Sequence, residues 1–82
     1  MVRLGKETRR SPKHVLDKAV VFFGPGGLGL TIQATSDQSV SFEGSGGYVT
    51  VTTSQTEGSD RTEVDIVSRE WDHQAQQFLG KI

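Results

Sequence analysis

Gly24, Gly26 and Gly29 stand at the spacing G-x-G-x-x-G within the run Gly24-Pro25-Gly26-Gly27-Leu28-Gly29. In that pattern a glycine turn brings backbone amides close to a dinucleotide pyrophosphate, and Val20-Val21-Phe22-Phe23 just before it has the composition of a strand. The chemistry also requires a helix to follow the turn, because its N-terminal amides hold the phosphates. Here Leu30, Ile32 and Ala34 alternate with Thr31, Gln33 and Thr35, which is the period of a half-buried strand. The hexapeptide is therefore expected to join two elements, and no cofactor is expected on it.

Three other groups of residues have the right types for catalysis or metal binding. Glu63 and Asp65 are two apart on a strand-like run, which sets both carboxylates on one side at about 6.5 to 7 Å, a separation also used in glycoside hydrolysis. Nothing in their neighbourhood would raise the proton affinity of one acid over the other. Glu70 and His73 match E-x-x-H, the helical spacing that directs a carboxylate and an imidazole at one metal, but such sites need a second copy and further carboxylates. Ser68, Asp72 and His73 are the residue types of a nucleophilic triad. Asp72 and His73 are chain neighbours, however, and point apart on a helix. His14 falls in the first turn of a helix and is expected in solvent. No catalytic residue, no metal ligand and no enzyme activity is expected from these sets.

Composition narrows the classes further. The 82 residues allow one domain, and with 33 % hydrophobic and 23 % charged residues the chain falls among ordinary globular proteins. No apolar run approaches the roughly 18 residues of a membrane span, and no signal-peptide core is evident, so a cytoplasmic location is expected. The absence of cysteine excludes disulfides, thiolate metal sites and cysteine nucleophiles. The net charge of −1 conceals a division: residues 1–18 carry six basic and two acidic side chains, whereas residues 19–82 carry three basic and eight acidic ones. Residues 1–10 lack clear periodicity and are expected to form a flexible basic arm, with residues 11–82 as the folded domain. Arg3, Lys6, Arg9, Arg10 and Lys13 are the candidates for nucleic-acid contact on that arm.

The elements follow from capping and period. Ser11 at an N-cap and Pro12 at the first helical position predict a helix over 12–23, with Val15, Leu16, Ala19, Val20, Phe22 and Phe23 on its apolar side. Gly24 suits a left-handed C-cap there, and Pro25 prevents continuation. Four strands are predicted at 30–35, 40–43, 48–54 and 61–68, with a turn at 36–39, a glycine hairpin at 44–47 and a loop at 55–60. Leu30, Ile32 and Ala34 are expected on the buried face, and Thr31, Gln33, Thr35, Thr50, Glu63 and Asp65 on the wet one. Trp71, Ala75, Phe78, Leu79 and Ile82 recur at one stripe of a closing helix. The predicted fold is α+β: a two-layer sandwich of order α-β-β-β-β-α, with both helices on one face of a four-stranded antiparallel meander.

The stretches FFGPGGLGL, FEGSGGYVTVT and TEVDIVSREWDHQAQQFL resemble a group of short bacterial proteins to which no activity is assigned, over residues 11–82. At the level of fold, the closing strands and last helix are similar to helix-grip domains of the START and Bet v 1 type, which hold apolar ligands between a curved sheet and a long helix. That similarity implies an apolar cavity, small here or completed by a second copy because the strands are few. The expected function is a small non-enzymatic binding or interaction module, assembling as a homodimer and offering a shallow apolar pocket to a small ligand. The alternative is a nucleic-acid-associated protein working through the basic arm.

Overall fold

The computed structural model describes residues 2–55, 58 and 60–82. Ser11 caps helix α1 (Pro12–Phe23): its backbone is extended and its hydroxyl accepts the His14 amide at 3.2 Å. Four strands then run in chain order, β2 (Thr31–Thr35), β3 (Ser39–Gly44), β4 (Gly47–Gln55) and β5 (Thr62–Arg69), before helix α2 (Asp72–Leu79). Each pairs antiparallel with the next. Gly44 faces Gly47 across the β3–β4 hairpin, leaving Ser45 and Gly46 as a two-residue loop with both φ angles positive, at 51° and 80°. This is the turn whose twist matches that of the strands it joins. Of the loop expected at 55–60, residues 56, 57 and 59 lie outside the described residues, and Gln55 belongs to β4.

The expected mobile arm is corrected by a fifth strand. β1 (Val2–Thr8) pairs antiparallel with β5 along its whole length, from Val2 opposite Ser68 to Thr8 opposite Thr62. The sheet order is β1-β5-β4-β3-β2, and the chain runs β-α-β-β-β-β-α, not α-β-β-β-β-α. No boundary remains at residue 10. In β1, Val2, Leu4, Lys6 and Thr8 lie on the core side, opposite Ser68, Ile66, Val64 and Thr62, while Arg3, Gly5 and Glu7 are exposed. The Lys6 ammonium runs past the apolar layer to donate to the carbonyls of Leu79 at 2.7 Å and Ile82 at 2.8 Å. Its methylenes can thus take an inward position while its charge meets the unpaired end of a helix.

One cluster forms the core. Val15, Leu16, Ala19 and Phe23 from α1, Val40, Phe42, Val49, Val51, Val64 and Ile66 from the strands, Leu30, and Ala75 and Phe78 from α2 are all buried. Phe23 is the hub, with ring centroids 5.5 Å from Phe42 and 5.4 Å from Phe78. The rings fill the space between sheet and helices where the helix-grip likeness implied a cavity. Trp71 closes one end by donating its indole N–H to the Gly44 carbonyl at 3.1 Å.

β2 departs from the expected alternation. All five of its residues are exposed, and the register shifts between Ile32 and Ala34. Ile32 stays on the core side opposite Phe42. The bulge, however, puts Ala34 opposite outward-facing Ser41 and Thr35 opposite inward-facing Val40, so these two exchange the faces that alternation assigned to them. Replacing Phe23 with alanine should lower unfolding free energy by about 3–5 kcal/mol. Urea denaturation followed by tryptophan fluorescence would measure this, and a loss under about 1 kcal/mol would contradict the hub.

Candidate functional site

The glycine hexapeptide is a folded joint. Amides of Gly24, Leu28 and Leu30 return to the carbonyls of Val20, Phe22 and Phe23, at 2.9, 3.0 and 2.9 Å, and those of Gly27 and Gly29 both return to Gly24, at 2.9 Å. All of the turn's donors except the Gly26 amide are thereby spent on α1's own carboxyl end, and a single remaining N–H does not make a nest for an anion. The element that follows, β2, is extended. Gly24 corrects the expected cap: its φ is −74°, and the left-handed residue of the run is Gly29 at 83°. Glycine is needed at 24 for space, because a Cβ would lie 2.4 Å from the Val20 carbonyl oxygen.

The other candidate sets come apart in three dimensions. Glu63 is exposed, and Asp65 lies half exposed with the Arg3 guanidinium at 3.7 Å, so neither carboxylate is desolvated. Glu70 precedes α2 and has a left-handed φ of 71°; its spacing to His73 is therefore not helical. Ser68 is fully buried on the core side, His73 is exposed, and neither the Ser68 hydroxyl nor the buried Asp72 oxygen has a hydrogen-bond partner among the described residues. No triad forms. No three ligand-type side chains gather into a metal cluster among the described residues. No helix there is long and apolar enough to cross a membrane.

The basic candidates are mostly engaged within the chain. Arg3 faces Asp65, Lys6 holds the carbonyls of residues 79 and 82, and Lys13 pairs with Asp17 at 2.8 Å. The hydrogen bond to Asp17, and then its charge, hold Lys13 above its ordinary lysine value. The pair's contribution is therefore present below that ordinary value and is lost as pH rises through the raised one. Arg9 and Arg10 have no acidic partner among the described residues and line an open concavity of about 510 Å³ between β1 and α1, shared with Ser11 and His14. His14 is half-buried, not fully in solvent, and its Nε2 is enclosed without a hydrogen-bond partner among the described residues.

What the fold does assemble are two apolar clefts against α1. One, about 430 Å³, lies between α1 and the β2 end of the sheet, with Leu16, Val20 and Val40 as its apolar wall. The other, about 250 Å³, lies between the helices and is lined by Lys18, Val21, Phe22, Phe78 and Lys81. Neither shows in a single amphipathic stripe. Both use flanks of α1 beside the buried stripe, and the exposed Val21 (71 %) marks the second of them. No protein-family model, curated protein or solved structure matches this chain.

Gly27 and Gly26 separate a packing role from a phosphate role. A Cβ on Gly27 would lie 2.1 Å from the Phe22 carbonyl oxygen, whereas one on Gly26 meets nothing within 4 Å. Gly27→Ala should cost about 1–3 kcal/mol in urea melts and Gly26→Ala less than about 0.5 kcal/mol. Added NAD should shift neither midpoint. Stabilisation by NAD that Gly26→Ala abolishes would return the hexapeptide to cofactor binding.

Proposed function

We propose that this chain is a small non-enzymatic binding module that works as a homodimer, with a shallow apolar pocket where its two copies meet. The observation that carries this reading is the contrast between the two edges of the sheet. β1 is defended: Arg3 and Glu7 line it, and Lys6 points inward, where it would oppose continued pairing. β2 carries no charge in Thr31–Thr35, exposes every residue, and presents Ile32 on the face that bears the core. The bulge beside Gln33 is its one blunting device.

A second copy adding its own β2 would continue the sheet and lay apolar surface over the 430 Å³ cleft of Leu16, Val20 and Val40. Two incomplete walls would then make one pocket for a small apolar ligand, which is the way the helix-grip likeness could operate with so few strands. The scattered acids and histidines support a role without catalysis. The reading carries with it a cytoplasmic location. The nucleic-acid alternative draws on Arg9 and Arg10 alone, since the other three basic candidates have partners within the chain. Two cations predict a shallow salt dependence.

Light scattering at micromolar concentration should give twice the chain mass. Ile32→Lys, which places a charge on the free edge, should give the monomer mass with an unchanged far-ultraviolet circular dichroism spectrum. A wild-type monomer, or a dimer indifferent to Ile32→Lys, would overturn the assembly.

A further inference from the structure

The geometry points to a second binding site, independent of the proposed dimer: the cleft between α1 and α2 takes an anionic amphiphile, a single acyl chain carrying a carboxylate. Its wall is apolar. Phe22 stacks on Phe23 at 4.9 Å and meets Phe78 at 5.8 Å, which fixes the rings from the core side, while Val21 beside them is 71 % exposed. An exposed apolar side chain next to the half-covered Phe22 ring leaves surface that a hydrocarbon would remove from water.

Charge at the rim selects the occupant. Lys18 and Lys81 flank the cleft, no acidic side chain lines it, and neither lysine has a carboxylate partner among the described residues. Elsewhere on the surface Lys13, Arg3 and Arg61 each stand beside an acid. The Lys81 ammonium sits 6.0 Å from the centroid of the Phe22 ring, so one cation already lies over the apolar wall. Beyond it the surface continues as a second concavity along Phe22, Gln77 and Gly80, again without an acid.

Most carbonyls at the nearby helix ends are already taken within the chain. Phe22 and Phe23 give their carbonyls to the amides of Leu28 and Leu30, Phe78 gives its own to Lys81, and Leu79 gives its own to Lys6. With those oxygens occupied, the two ammonium groups dominate the local field. A chain against Val21, Phe22 and Phe78 with its carboxylate between Lys18 and Lys81 satisfies both features at once.

Titration of the full chain with decanoate below its micellar range, followed by amide chemical shifts, tests this directly. Saturable shifts at Val21, Phe22, Phe78 and Lys81 are expected, with decanol binding roughly fivefold or more weakly and the paired change Lys18→Gln with Lys81→Gln weakening decanoate to a similar degree. Both lysines are exposed, so the variant should keep the fold. Absence of saturable shifts, equal affinity for decanol, indifference to the lysine changes, or binding seen only on phosphatidylglycerol vesicles would each overturn the assignment. Repeating the titration on the Ile32→Lys chain separates this site from the dimer: decanoate binding should be unchanged there, and its loss would tie the ligand to the other cleft.

Discussion

Seven antiparallel pairs between β1 and β5 join the first and last thirds of the chain, and the rest of the architecture leans on them. Without β1, the strand that carries Val64 and Ile66 would be the free edge, and α2 would lose one of the two strands it rests on. Lys6 adds a polar lock by holding the carbonyls of residues 79 and 82. Closing so long a loop costs entropy, but that cost grows only slowly with length, so a full ladder and a docked helix can offset it. The contact of Phe23 with Phe78 and the cleft between the helices depend on the docking of α2 that this closure supports.

The locally determined parts of the fold were legible in the residues. Ser11 and Pro12 define a helix start through one hydroxyl and one missing amide, and Gly44 to Gly47 define a hairpin through allowed φ angles. Neither depends on distant partners. β1 was hidden because two of its seven residues, Gly5 and Lys6, break the usual strand signature, although Val2, Leu4, Lys6 and Thr8 do share one face. A lysine reads as solvent-facing until the carbonyls that receive its ammonium are known, and those lie more than 70 positions away. β2 shows the reverse error. Its alternation is real, but the five residues of this edge strand all stay exposed, and a bulge erases the parity that sequence spacing would assign.

The same division runs through the candidate sites. Spacing located the glycine turn, and the strand after it argued against a nucleotide; all of the turn's amides but that of Gly26 bond back to the end of the helix they follow. Pairs of acids and histidines drew attention by residue type, yet three-dimensional placement scatters them among solvent, core and a left-handed turn. The clefts could not be read in advance, because each combines residues from separate elements whose relative placement the packing decides. What remains for function is surface: an edge without charge, an apolar wall beside it, and a second wall between helices with two cations on its rim. These surfaces are what the proposed binding role rests on, since no metal cluster or triad gathers among the described residues.

The pairing of β1 with β5 ties residues 2–8 to residues 62–68. Amide hydrogen exchange resolved by residue tests it most directly, since protection in a strand requires the ladder to persist. The β1 amides bonded to β5 should exchange as slowly as those of the β4–β5 ladder, and Lys6→Ala should speed exchange in β1 and α2 together. Exchange across residues 2–8 at the rate of an unstructured peptide, with β5 still protected, would contradict it.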